Sequence, residues 1–412
     1  MANEQGLLKQ TVFAKQSQLG IPYPTTGGKI KRRTSAVFTK SVDTYESNEI
    51  VSHQQSTGAN AGIVKTSGKL DGLISPGTYT EQFASLLRKD AAATAAITGM
   101  SITNITASGS VFTATRGSGD FLQGGVKIGD IGRWTAGGFN GANSNKNFLV
   151  TAVTATTISY VTLGAVPGVT ETGPVTGSTW TTVGKKTWVP TSGHVNDYWT
   201  VEEWYSGLGR SELFRDCKIA KADVTVPATG NATVSFDVPG LSRVENGTQQ
   251  IATPAAETTT NVLTAVGGLI LVNGVATPIT GIQFSIDGHV QPGEAEVGTN
   301  QIGDHVRGEI SVSGQFTAKF SSVALQALYT AQTPFTIIVV LTDGSLATSD
   351  FVSFVIQRCK VFGDTPDDGE AKEIIRTYPF TAQINASGGP ASGVGATADL
   401  QSIISIQDSQ AP

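Results

Sequence analysis

The sequence reads as a mainly β chain: a β-sandwich or barrel with one or two short flanking α-helices, and a small β-domain inserted into it. Three observations predict this. Period-two alternation of apolar and polar residues is clean in several runs. Gly supplies 48 of 412 residues while charged residues make only 15%, so turns and uncharged polar side chains form the surface that charge usually forms. Hydrophobic residues at 39%, with 17 Phe, 8 Tyr and 5 Trp, are too many for a disordered chain.

Residues 1–40 carry Lys9, Lys15, Lys29, Lys31, Arg32, Arg33 and Lys40 against Glu4 alone, which reads as a basic N-terminal arm. The run from Lys29 to Arg33 has no interleaved aromatics and precedes an acidic body. An arm docking on an acidic protein neighbour is therefore favoured over one that binds nucleic acid. Residues 41–96 and 191–384 read as one discontinuous β-domain. In its first part, Tyr79, Phe83, Leu86 and Leu87 fall on one stripe, predicting a helix over 79–89 closed by Arg88 and Lys89.

From about Ile97 to Pro190 the chain turns to short strands cut by Gly, Asn and Thr: Ser110 to Ala114, Ile128 to Trp134, Phe148 to Val153 and Thr157 to Thr162. That spacing predicts a separately folding insert of about 90 residues, a small barrel or sandwich. The body resumes with a long hairpin. Ala220, Ala222, Val224 and Val226 oppose Lys221, Asp223 and Thr225, the turn Pro227 to Asn231 follows, and Ala232, Val234, Phe236 and Val238 oppose Thr233, Ser235 and Asp237. In the stretch 309–320, Ile310, Val312, Phe316, Ala318 and Phe320 alternate with Glu309, Ser311, Ser313, Gln315, Thr317 and Lys319, so one face is wet and the other core. A second helix is expected over 322–330, ended by Pro334. Residues 385–412 form a Gly-rich tail, mobile through Gly388, Gly389, Gly393 and Gly395 until the apolar patch Leu400 to Ile406.

Little catalytic chemistry is visible. Cys217 and Cys359 have no metal or redox spacing and read as buried free thiols. His53, His194, His289 and His305 form no metal pair, and no nucleophile elbow occurs. Gly117 to Leu122 starts like a dinucleotide loop but lacks its third Gly. Asp364 to Glu370 resembles a calcium loop, yet Pro366 and Ile375 fall where carboxylates belong. The sequons at Asn104, Asn231 and Asn246 carry little meaning. No enzyme, cofactor or metal is expected. The opening residues lack an apolar signal core, and no apolar run reaches spanning length, so a soluble product of the cytoplasm is expected. A second reading makes the chain a surface adhesin or carbohydrate-binding protein, with Trp134, Trp180, Trp188, Trp199 and Trp204 as a sugar-stacking platform. Core or interface anchoring of these Trp is the favoured alternative.

Several pieces, taken in order, resemble the major tail tube protein family of long-tailed bacteriophages with non-contractile tails. They are the polar stretch Glu46 to Ser52 leading through Lys65 to Gly72 into Tyr79 to Leu87, the hairpin Cys217 to Pro239, Gly281 to Asp287, the long strand Gly308 to Phe320, and Arg376 to Ala382. The resemblance implies a virion protein of the tail, made in the host bacterial cytoplasm. It implies self-association into stacked hexameric rings forming the conduit for DNA ejection. Tape-measure and tail-terminating or tip proteins are the other implied partners, and the insert departs from the minimal family pattern as an outward decoration. DNA would pass through the lumen without specific binding, because a wall of free cations would hold it. The candidate lumen-lining residues are then Asp223, Thr225, Thr233, Ser235 and Asp237 of the hairpin, with Glu309, Ser311, Ser313 and Gln315 of the long strand. Lys221 and Lys319 share their parity. Lys29, Lys31, Arg32 and Arg33 are the candidate inter-subunit arm.

Overall fold

The structure is a computed structural model; it describes residues 5–21, 26–53, 55, 58–165, 167–320, 323–344, 346–367, 373–385 and 401–412. With 53% strand and 5% helix, the mainly β expectation is borne out. Residues 386–400, which hold the tail glycines, lie outside the described residues, as do Asp368, Gly369 and Glu370 of the acidic loop.

Seven antiparallel strands make the main sheet, in the order Ser35–Glu46, Ala59–Leu73, Thr233–Asp237, Lys221–Pro227, Ile279–Asp287, Ser311–Lys319 and Ile375–Thr381. Alternation places Val224, Phe236, Phe284, Ile286, Val312 and Phe316 on one buried face. At its far edge the sheet turns a corner. Phe351–Val361 gives Lys360 and Val361 to Thr381 and Phe380, while its earlier residues pair with Phe335–Thr342 and Ile404–Asp408. Arg358, at φ 45°, marks the turn.

The sheet beyond this corner folds back over the first, so that Phe354 packs edge-on to Phe284 at 5.3 Å. The first helix, α1 (Thr80–Leu87), slots Phe83 between Phe236 at 5.1 Å and Phe354 at 5.7 Å. It ends as Arg88 turns left-handed at φ 62°. The second helix, α2 (Ala324–Ala331), begins two residues later than the sequence indicated and buries no residue fully.

The described residues of the first forty, 5–21 and 26–40, are woven into the body. Lys9–Gln16 is an inner strand of a six-stranded sheet, paired along its whole length with Tyr198–Tyr205. Val12, Phe13 and Ala14 are buried, and the flanking cations find carboxylates, Lys9 with Glu203 at 2.6 Å and Lys15 with Asp197 at 2.9 Å.

The insert forms a closed six-stranded barrel from Ile97–Ser108 to Glu171–Thr182. Its core is aromatic: Trp134 meets Trp180 at 4.9 Å and Phe148 meets Tyr160 at 4.6 Å. Gly132 is required there, since a Cβ would fall 2.4 Å from the Trp180 ring. Beyond the barrel, Lys185–Trp188 rejoins the body by pairing with Ile404–Asp408.

The barrel is also seamed to the body. Ile131, Leu149 and Leu163 share an apolar cluster with Leu271, Ile338, Val340, Phe351 and Val355. The buried Gln407 amide donates to the carbonyls of Ile131 at 2.9 Å and Val183 at 2.7 Å, and accepts from Ile131 N at 3.0 Å. Lys186 pairs with Asp130 at the same seam. Parity fixes the layering. Ile337, Val339 and Leu341 face the main sheet while Ile338 and Val340 face the barrel, so the barrel lies on the side of the molecule away from the main sheet's other face.

Candidate functional site

That other face is polar and open. Strand register lines up its residues in rows across the sheet. One row runs Ser35, Asp71, Ser235, Asp223, Ser285, Ser313, Thr381 and Lys360. On one side of it lie Thr233, Thr225, Gln283 and Gln315; on the other, Lys69, Asp237, Lys221, Asp287 and Ser311. The two strand faces marked out in the sequence are thus brought onto one face of one sheet, separated by the single strand Ile279–Asp287. Its Gln283, Ser285 and Asp287 complete the face. Their parity in the sequence was the available signal.

Eight of the nine candidates sit in these rows: Asp223, Thr225, Thr233, Ser235, Asp237, Ser311, Ser313 and Gln315. Glu309 does not, because the strand begins at Ser311. It is exposed in the preceding loop, where its carbonyl oxygen lies 2.9 Å from Nδ1 of His289.

Charge on the face is balanced locally. Lys221 lies 3.0 Å from Asp223, Lys65 2.7 Å from Asp43, Lys319 2.6 Å from Glu373, and Lys69 3.9 Å from Asp71. The Asp223 hydrogen bond holds the Lys221 ammonium above its ordinary range. Burial in the row, with Asp223 and Asp287 nearby, lifts the Asp237 carboxyl above the usual range even though Lys221 opposes the shift. The middle of the face is an open trough of about 550 Å³ floored by Thr225, Gln283, Ser313 and Gln315, too open to enclose a small ligand.

The basic run is engaged inside the chain. Lys29 and Lys31 reach the two oxygens of Glu81 on α1 at 2.8 and 3.2 Å, and Lys31 is only 3% exposed. Arg32 donates to Thr260 O at 2.6 Å, and Arg33 to Lys9 O. Burial pulls the Lys31 ammonium below its ordinary range although Glu81 opposes this.

A second polar cluster fastens the Val290–Arg307 excursion. Lys218 reaches Asp304 at 3.0 Å, Tyr198 donates to Asp304 at 2.7 Å, and Lys218 also donates to the His305 carbonyl at 3.0 Å. Burial, with Lys218 adding to it, lowers the His305 imidazole to about 4.

The tryptophans form no platform. Trp134 and Trp180 are barrel core, and Trp199 is buried with its indole N–H on Ser85 Oγ at 3.0 Å. Trp188 is half-buried under Lys89, and Trp204 lies in the six-stranded sheet. Aromatic burial requires this, since each ring is worth more in a core than in water. Among the described residues there is no group of three or more His, Cys, Asp or Glu able to hold a metal, and no helix long and apolar enough to cross a membrane. Cys217 and Cys359 are free and buried, and burial pushes both thiols well above their ordinary range.

The chain matches the family model described as phage tail tube protein over residues 6–382. It belongs to that family. No curated protein matches the chain. As a phage tail tube protein it is a structural component of the virion tail that assembles with itself into a tube. The matched span includes the barrel, the six-stranded sheet and every row of the polar face.

Proposed function

We propose that the polar face is the lumen wall of a tube built from stacked hexameric rings, through which DNA is ejected from a long, non-contractile tail. One observation carries this reading: the face spans seven strands, and four of its five lysines, Lys65, Lys69, Lys221 and Lys319, each have a carboxylate of the same chain within 4 Å, Lys360 at the corner being the fifth. DNA binds by exchanging its counterions for protein cations. Lysines already neutralised in the wall offer little to exchange, so the duplex slides past hydroxyls and amides. The layering supports the same orientation, because a lumen on the polar face leaves the barrel outside the tube. Among the described residues no strand pairs with the outer edges of Ser35–Glu46 and Thr365–Asp367, and closure across subunits would satisfy them.

Tape-measure protein would fill this bore before ejection, with terminator and tip proteins at the ends, and the chain would be made in the host cytoplasm. The test is negative-stain microscopy of the purified full chain at high concentration. Rings and hollow tubes are expected; discrete monomers at every concentration would overturn the reading.

A further inference from the structure

Three Asn-Gly pairs occur in the chain, Asn140–Gly141, Asn246–Gly247 and Asn273–Gly274. In such a pair the Gly nitrogen, unhindered by any side chain, can attack the side-chain carbonyl carbon of the Asn before it. That reaction needs a solvated amide, an open Gly nitrogen and a backbone able to bring the two together. The fold sets two of the pairs aside. Asn246 ends the strand Ser242–Asn246, paired with Ser211 in an extended ladder, and its Nδ2 is buried. Asn273 and Gly274 are the central residues of a tight hairpin turn, at φ 52° and 78°, pinned by the pairing of Val272 with Val275 and by the bond from Asn273 N to Thr336 O at 2.8 Å. A two-residue turn of this kind has one backbone shape, and it cannot swing the Gly nitrogen onto the side chain.

Asn140 is different. It stands exposed in the loop between the barrel strands Ile131–Ala136 and Phe148–Val153. Its Oδ1 accepts from Ala142 N at 2.9 Å, which folds the side chain back over the Gly141 peptide. A Cβ built on Gly141 would meet nothing within 4 Å, so the attacking nitrogen is open. The surroundings give the product a consequence. Among the described residues of the barrel, 97–182, no Lys, Arg, Asp or Glu is exposed. Glu171 takes the N–H of Asn140 at 2.7 Å and Nδ2 of Asn143 at 2.8 Å on one oxygen. The loop it holds keeps Phe139 on the Trp134 ring at 5.1 Å.

We propose that Asn140 is a self-modifying site that deamidates in the folded protein. The Gly141 nitrogen loses its proton to solvent base and bonds to Cγ of Asn140. The Cγ–Nδ2 bond breaks, ammonia leaves, and a cyclic imide remains. Water then opens the ring at either carbonyl, leaving aspartate or isoaspartate. Either product sets a carboxylate beside Glu171 in place of an amide, and the repulsion between like charges loosens the loop. The barrel thereby gains its first exposed charge as the protein ages.

The test is the full chain held in mildly alkaline buffer, sampled over days and mapped by mass after trypsin. The peptide Trp134–Lys146 is expected to show the mass of NH exchanged for O, with fragment ions placing the change at Asn140, well before the peptides holding Asn246 and Asn273. It should also become a substrate for an isoaspartate methyltransferase. In denaturant all three pairs should react at similar rates, since the fold alone separates them. Equal rates in the folded chain, or a lead by Asn246 or Asn273, would overturn the proposal, as would a Gly141→Ala variant that ages as fast as the parent. For the consequence, full-length Asn140→Asp should be cut faster by chymotrypsin at Phe139, and adding Glu171→Gln should restore the parent's resistance. Asn140→Asp as resistant as the parent would show that the new charge leaves the loop closed and would overturn that part.

Discussion

Lys221 reaches Asp223 across 3.0 Å on the same strand face, and it lies in register between Asp237 and Asp287 of the two neighbouring strands. The most central cation of the polar face is thereby surrounded by acid. Removing that acid should convert the wall from one that passes DNA into one that holds it.

Asp223→Lys with Asp237→Lys, in assembled tubes, is expected to retain duplex DNA at about 50 mM salt and release it by about 200 mM, the dependence that phosphate neutralisation imposes. Parent tubes should retain little at either salt. Charge-reversed tubes that bind no better than the parent would remove these residues from the wall.

Lys31 has almost no solvent and depends on Glu81. Glu81→Ala leaves a buried cation unpaired and is expected to cost about 3–5 kcal/mol of stability. Lys29→Ala, at a partly exposed pair, should cost about 1 kcal/mol or less. Adding Lys31→Met to Glu81→Ala should recover most of the loss. Chemical denaturation of the three variants checks the order.

These two sites also show what could be read from the chain. The hairpin and the long strand were legible because both alternate strictly, and an alternating run must turn one parity to the core. That they share one face was not legible, since register between strands some 80 residues apart is set by tertiary pairing. Lys9–Gln16 was hidden for another reason: its apolar part is only Val12 to Ala14, and the acids that neutralise its lysines, Asp197 and Glu203, lie just before and within a strand distant in sequence. The basic run looked free on the same account. The barrel strands Phe148–Val153 and Thr157–Thr162 were placed correctly by their turn residues. Ile97–Ser108 and Glu171–Thr182 were not, because Gly99, Gly173 and Gly177 interrupt their alternation at positive φ.

Replacing residues 97–182 with a short Gly/Ser linker would uncover Leu271, Ile338, Val340, Phe351 and Val355 and remove the Ile131 backbone that both accepts from and donates to the Gln407 amide. The shortened chain is expected to remain β-rich by circular dichroism but to unfold at lower denaturant and to bind a hydrophobic dye. An unchanged midpoint would show that the seam contributes nothing to the body.

His305 is buried beside Lys218 and its imidazole is lowered to about 4, below the 6.5 of an unhindered histidine. Between those values the unfolded chain binds the proton and the folded chain does not, so stability rises with pH across the window. It is fully present above pH 6.5 and lost as pH falls toward 4. Melting temperature measured between pH 7.5 and 4.5 should fall, and His305→Gln should flatten the slope. An equal slope in the variant would assign the loss to other groups.

The most direct measurement is a helical reconstruction by electron cryomicroscopy of tubes assembled from the full chain. The row from Asp71 through Ser235, Asp223, Ser285 and Ser313 is expected to face the bore, with the 97–182 barrel on the outer surface and six copies around each ring. A reconstruction with that row turned outward, or with the barrel in the bore, would contradict the assignment of the lumen.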